Sequence, residues 1–215
     1  MRESPRVRRL RSDFKAVEQL QSESTIFSFE AKGSPPHMYL VRFRGTGLWR
    51  PGGASDVLVR YEHEAAIELG AAYPRMMPAL GWRTPIFHPN ISASGVVCLG
   101  GYATHWVPSV NLDELCNMLW DMVRYENYDV DSPYNRDAAL WARSQRKYAL
   151  PVDPRPLRDK LVMARAPEAQ STSDAVRPPP MRDESVTFID AEASGVEVVD
   201  AEVVEGDGPD ILFIE

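Results

Sequence analysis

The hydrophobic period of the chain changes near Ser109, and that change limits the folds open to it. Between Thr25 and Thr84, short stretches alternate apolar and polar residues between Gly- and Pro-rich turns, which is the pattern of half-buried strands. Beyond Ser109, Leu112, Leu115, Cys116, Leu119, Met122 and Val123 recur at helical steps, the stripe of a buried helix. An earlier helix is predicted over Arg6–Gln21, where Val7, Leu10, Phe14 and Val17 share a face. Arg8, Arg9, Arg11 and Lys15 lie mostly off that face. They read either as a solvated basic surface or as a dock for an acidic partner, since charge of one sign steers association.

Strands are predicted at Thr25–Glu30, His37–Arg44, Val57–Leu69 and Ala79–Thr84. In the second, Tyr39, Val41 and Phe43 take one side, and Met38, Leu40 and Arg42 the other. Gly45–Gly53, with four glycines and a proline, reads as a loop. The Glu-rich end of the third region also fits a helix. After Pro133, helices are predicted over Asn135–Tyr148, with Ala138, Trp141 and Tyr148 packing, and over Pro154–Ala166 through Leu157, Leu161 and Val162. The fold class is therefore α+β: an N-terminal helix, a four-stranded antiparallel meander and C-terminal helices.

Composition bounds the function classes. At 215 residues and 44% hydrophobic content the chain can bury a core. It has no apolar run long enough to span a membrane and no apolar signal segment at its N-terminus, so a cytoplasmic protein is expected. From Asp183 to Glu215 there are eleven carboxylates and no Lys or Arg; removing them from the net −7 leaves the first 182 residues at +4. An acidic tail on a mildly basic domain argues against nucleic acid as partner. The expected organisation is a domain over 1–166, a Pro/Ser-rich linker over 167–182, and an acidic tail over 183–215 expected to stay disordered alone. Within that tail, Ile211–Ile214 between acidic residues reads first as a solubilising end, then as a short segment that adds a strand to a partner, and last as a segment that docks on the chain's own basic first helix. Two cysteines and four scattered histidines form no disulfide framework and no metal-ligand spacing; no metal or cofactor is expected.

Chemistry concentrates between Tyr73 and Ser109. His88-Pro89-Asn90 is followed by a polar turn, Ser92 to Gly95, and two valines that deliver Cys98; Trp106-Val107-Pro108 comes eight residues later. A cysteine after a tight turn is a reachable nucleophile. Residues 94–104 contain no His, Asp, Glu, Lys or Arg, which weighs against a cysteine protease, whose thiol needs an oriented histidine. His88 or His105 would have to approach in space for that reading to hold. Asn90 reads two ways. Its amide N–H can steady an oxyanion, a contact whose loss costs on the order of 100- to 1,000-fold elsewhere, or its carboxamide braces the loop. His88 reads as structural beside Pro89. Trp106 and Pro108 read as the stiff far wall, with Pro108 also open to a partner. Cys116 falls on the buried stripe and reads as inert core.

These motifs, in this order and with eight-residue steps from Asn90 to Cys98 and from Cys98 to Trp106, resemble the catalytic core of ubiquitin-conjugating enzymes over roughly Arg6 to Ala166. The resemblance implies a transferase in which Cys98 takes a ubiquitin-like modifier as a thioester from an ATP-dependent activating enzyme. The modifier then passes to a lysine of a target protein, with or without a ligase. It implies Asn90 as the oxyanion or loop-bracing asparagine and the first helix as the activating enzyme's dock. It also implies the Tyr73–Pro78 and Val107–Ser109 loops as the ligase surface. Asp131, one residue before Ser132-Pro133, stands near where family members carry a lysine-orienting Asp. Gly100-Gly101 replace an acidic residue common there, and the 50–60 loop is atypical. The divergence and arginine bias resemble bacterial members, and with them an antiviral setting. The alternative within the same fold is a non-catalytic module that binds the modifier without carrying it.

Overall fold

The computed structural model describes residues 3–52, 54–99 and 106–165; the expected linker and acidic tail lie outside them. Helix α1 (Pro5–Ser22) starts where the Ser4 hydroxyl accepts the Val7 amide at 3.2 Å and Pro5 sits in the first turn, a start that satisfies an orphan donor and needs no amide from proline. Leu10, Val17 and Leu20 are its buried face; Val7 and Phe14 are half-buried at the margin.

Strands β1 (Phe27–Gly33), β2 (Pro36–Trp49), β3 (Leu58–Glu68) and β4 (Ala79–Trp82) form one antiparallel sheet in chain order. The third region is strand to its end, because His63, Ala65 and Ile67 face the core while Glu62, Glu64 and Glu68 take the other side. The loop expected at Gly45–Gly53 is corrected: β2 runs through Gly45 and Gly47 to Trp49. These glycines are sites of close approach. A Cβ on Gly45 would lie 2.4 Å from the Trp120 ring, and one on Gly47 2.5 Å from His63. The register shifts between Arg44 and Gly47, and the Thr46 amide freed there donates to the Asp153 carboxylate at 2.9 Å.

Helix α2 (Leu112–Val123) packs with α1 against the inner face of the sheet. Phe43 lies between two indoles, its centroid 6.0 Å from Trp120 and 6.4 Å from Trp82. Cys116 is fully buried in this core. Helix α3 (Arg136–Ser144) is capped by the Asn135 side chain, which accepts the Ala138 amide at 3.1 Å. It ends before Tyr148, which instead packs on Trp141 and donates its hydroxyl to the Val57 carbonyl at 2.8 Å. For helix α4 (Asp159–Arg165) the expected packing through Leu161 and Val162 is corrected, since they are 45% and 55% exposed. Buried Leu157 and the Asp159 carboxylate, which accepts the Thr25 amide at 2.7 Å, hold this segment. No described helix is long and apolar enough to cross a membrane.

One buried polar cluster ties α1 to the loops beyond the sheet. The fully buried Asp13 carboxylate accepts Arg9 Nε at 2.9 Å, the Tyr73 hydroxyl at 2.7 Å and the Leu112 amide at 3.1 Å. Arg9 in turn donates to the Pro108 carbonyl at 2.6 Å and to the Val110 carbonyl. Asp13→Ala strips three donors of one acceptor and is expected to lower the unfolding free energy by about 3 kcal/mol. Urea denaturation followed by circular dichroism measures it; a loss below about 1 kcal/mol would mean that water replaces the carboxylate.

Candidate active site

The segment before the cysteine is pinned from below. His88 is fully buried, and its Nδ1 accepts the Asn90 amide at 3.1 Å. Its ring meets Tyr125 edge-on, with centroids 4.9 Å apart. Tyr125, at φ +60° just past the end of α2, is held in the left-handed region, and its hydroxyl donates to the Phe87 carbonyl. A glycine there would relax the backbone but remove the ring that His88 rests on. Burial pushes the His88 imidazole down to about 3. A ring held neutral and enclosed in this way cannot serve Cys98 as a base, and the protease reading loses that partner. His105, like Gly100 and Gly101, lies outside the described residues.

Asn90 joins two segments. Its Oδ1 accepts the Asp129 amide at 2.7 Å, and its Nδ2 donates to the carbonyls of Asp129 and Ser132 at 3.0 and 3.4 Å. Its own carbonyl accepts the Cys98 amide at 2.9 Å. The intervening turn closes at Gly95, whose φ of +85° and closeness to the Trp82 carbonyl (2.3 Å from an added Cβ) leave no room for a side chain. Val97 and Leu99 point into the core on either side. Cys98, between them, is a free, half-buried thiol.

The far wall is tied down too. Trp106 Nε1 donates to the Pro74 carbonyl at 2.7 Å, which links the two loops flanking the site, and Pro108 is exposed while its carbonyl holds Arg9. Arg9 therefore leaves the expected docking set: its guanidinium is committed to Asp13, Tyr73, Pro108 and Val110. Arg8, Arg11 and Lys15 stay exposed, Arg11 beside Glu3 at 2.7 Å. Asp131 projects into solvent, its side chain 85% exposed and paired with Arg143. No group of His, Cys, Asp and Glu among the described residues is arranged to hold a metal.

Sequence reading missed Tyr134. Its amide and that of Asn135 both donate to the Pro89 carbonyl at 2.8 Å, and the neighbouring Cys98 sulfur raises its exposed phenol above the ordinary range. No spacing rule marks it; only the fold of the 129–135 loop over Pro89 and Asn90 carries it there.

The family model for ubiquitin-conjugating enzymes matches residues 60–153, a stretch that holds most of β3, β4, the pinned turn, Cys98 and α2. Over this stretch the chain is similar to ubiquitin-conjugating enzymes. Ubiquitin-conjugating enzyme E2 16 of Schizosaccharomyces pombe is 38% identical over 84 residues, which is 39% of this chain and 51% of that protein. The NEDD8-conjugating enzyme Ubc12 of Arabidopsis thaliana is 30% identical over 80 residues, 37% of this chain and 42% of that protein. The chain thus spans about half the length of the curated relatives it matches. Among solved structures, Ubc12 of S. cerevisiae superposes with a TM-score of 0.52 at 21% identity, over 68% of this chain and 76% of that one; this likeness supports the ubiquitin-conjugating fold. These relatives are eukaryotic, and the bacterial and antiviral setting finds no support among them.

The site's platform depends on neutral imidazoles. Burial also holds His63, on β3, down to about 4, against its bonds to the Arg60 and Gly45 carbonyls. Unfolded histidines take a proton near pH 6.5. The neutral rings therefore contribute stability that is complete above that pH and lost as pH falls from it toward 4. Each ring accounts for about 2 kcal/mol at pH 5. Urea unfolding is expected to give a free energy about 2–4 kcal/mol lower at pH 5 than at pH 7.5, with His63→Gln removing about half of the difference. Equal values at the two pH values would contradict the assignment.

Proposed function

We propose that this chain is a conjugating enzyme that carries a ubiquitin-like protein on Cys98. The thiolate attacks the carbonyl carbon of the modifier's thioester on an ATP-dependent activating enzyme. The new S–C bond forms as the old one breaks, and the activating enzyme's sulfur leaves as a thiolate. In the second step a target lysine amine attacks the carbonyl; the C–S bond breaks, an amide forms, and the amine's proton passes to solvent. Exchange of one thioester for another is nearly neutral in energy, so the carrier needs no strong base of its own.

The observation that supports this reading best is the setting of Cys98. It is a half-buried free thiol fixed by the Asn90 carbonyl, inside the segment that matches the family. Asn90 is assigned to bracing the acceptor rim, because its Nδ2 hydrogens already serve the Asp129 and Ser132 carbonyls. It would meet an oxyanion only after that rim loosened. The exposed Asp131 carboxylate suits electrostatic guidance of an incoming lysine ammonium, shared with Arg143. Arg8, Arg11 and Lys15 are assigned to the activating enzyme. The Tyr73–Pro78 and Val107–Ser109 loops, joined through Trp106, are assigned to a ligase where one is used.

Incubation with ubiquitin or NEDD8, the matching activating enzyme and ATP, followed by non-reducing electrophoresis, tests the proposal. A conjugate is expected that is lost with thiol reductant and absent in Cys98→Ala. A conjugate surviving both would overturn Cys98 as carrier. Binding of the modifier with no covalent product would favour the non-catalytic module.

A further inference from the structure

The outward face of α3 carries mostly positive charge around one apolar side chain. Its exposed residues are Arg136, Asp137, Leu140, Arg143 and Ser144. Arg136, Leu140 and Arg143 stand at steps of four and three, which sets them in one row along the helix. Leu140 is 61% exposed between the two arginines, and Arg146 and Lys147, also exposed, follow the helix end. The two carboxylates nearby are engaged: Asp137 pairs with Arg50 at 2.8 Å, and Asp131 with Arg143. None of the described ion pairs involves Arg136, Arg146 or Lys147. This face is fixed relative to Cys98. The Tyr134 and Asn135 amides, at the start of α3, both donate to the Pro89 carbonyl at 2.8 Å, and the carbonyl of the next residue, Asn90, accepts the Cys98 amide at 2.9 Å. Arg143 reaches back over the loop that Asn90 clasps, donating Nη2 to the Val130 carbonyl at 3.1 Å and to Asp131.

We propose that Arg136 and Arg143 are specificity-determining residues that select target lysines lying among acidic residues, with Leu140 seating an apolar side chain of the same segment. The inference rests on the reading of Cys98 as a thioester carrier. The side chains of Asp131 and Arg143 are 85% and 53% exposed, so solvent screens their pair and little holds it closed. Arg143 uses Nη2 for Val130 and Asp131, which leaves Nε and Nη1 to donate to an incoming carboxylate. A target lysine and a neighbouring acid then match the pair as opposite charges: the ammonium meets Asp131, the carboxylate meets Arg143, and Arg136 extends the positive row. A basic segment meets the same row as repulsion. Rejection of the wrong partner contributes to selectivity as much as attraction of the right one.

The test acylates the full chain at Cys98 by exchange with the mercaptoethanesulfonate thioester of N-acetylglycine. Discharge is followed by mass spectrometry to three peptides that carry Glu, Gln or Arg on both sides of a Leu-Lys core, with Cys98→Ala as blank. Each rate is divided by that peptide's rate with the free thioester, which removes the effect of the flanks on the amine. The readout is the ratio between peptides within one variant, because a fold defect slows all three together and cancels. The parent chain is expected to prefer the glutamate peptide over the glutamine peptide by about fivefold, the scale of one or two exposed ion pairs, and to disfavour the arginine peptide. Salt at about 0.5 M should draw the ratio toward one. Arg143→Gln, which adds no carboxylate beside Asp131, should lower the preference about two- to threefold, and the double variant Arg136→Glu/Arg143→Glu should reverse it. An unchanged ratio in the double variant would overturn the assignment, and if loading by an activating enzyme fell in that variant the face would belong to that partner instead. Equal discharge of the parent chain to all three peptides would leave Cys98 as carrier and remove the selective surface. If no peptide is modified above the blank, while a fluorescent glutamate peptide binds the full chain and not the double variant by anisotropy, the surface for acidic segments stands and the carrier reading falls.

Discussion

Asn90 uses its side chain and its carbonyl to hold three parts of the chain in one place. The carboxamide binds both the amide and the carbonyl of Asp129 and reaches the Ser132 carbonyl, while the main-chain carbonyl receives the Cys98 amide. An amide side chain suits this work because it offers a donor and an acceptor at fixed separation. Here the residue is 4% exposed, so neither function can be handed to water. Without it, the 129–135 loop would lose its connection to the turn that presents the sulfur. Tyr134, Asp131 and Cys98 would then no longer share a common frame.

Asp13 plays a comparable part between α1 and the start of α2, with different energetics. It is a buried carboxylate satisfied by a guanidinium, a phenol and a backbone amide at the start of α2. A charge in that position is tolerable only while every donor stays in place. Arg9 carries the connection outward to the carbonyls of Pro108 and Val110, and Trp106 joins the same wall to Pro74. The loops around the thiol are consequently set by polar contacts, while the sheet and helices behind them are set by apolar packing. That division suits a site in which irregular backbone must hold its shape at the surface.

Much of the scaffold was legible because it obeys simple periods. The alternation of Tyr39, Val41 and Phe43 and the stripe from Leu112 to Val123 locate the core faces directly. What escaped depended on partners distant in sequence. Gly45 and Gly47 look like loop residues until Trp120 and His63 are seen against them. Arg9 looks like free surface charge until Asp13, Tyr73 and the Pro108 carbonyl surround it. Leu161 and Val162 have helical spacing, but α4 docks through Asp159 and leaves them in solvent. Cys98 and Asn90 were visible because the turn between them is local. Tyr134 was not, since its approach to the sulfur comes from a loop thirty-six residues onward.

The seclusion of Cys116 has a practical corollary. Burial pushes its thiol far above the ordinary range for cysteine, and the side chain has no contact with solvent. An alkylating reagent added to the folded chain therefore meets one sulfur, and the second becomes available only when the α1–α2 interior opens. The ratio of singly to doubly labelled molecules is a count of how often that interior has come apart, recorded by the protein itself without any added probe of conformation.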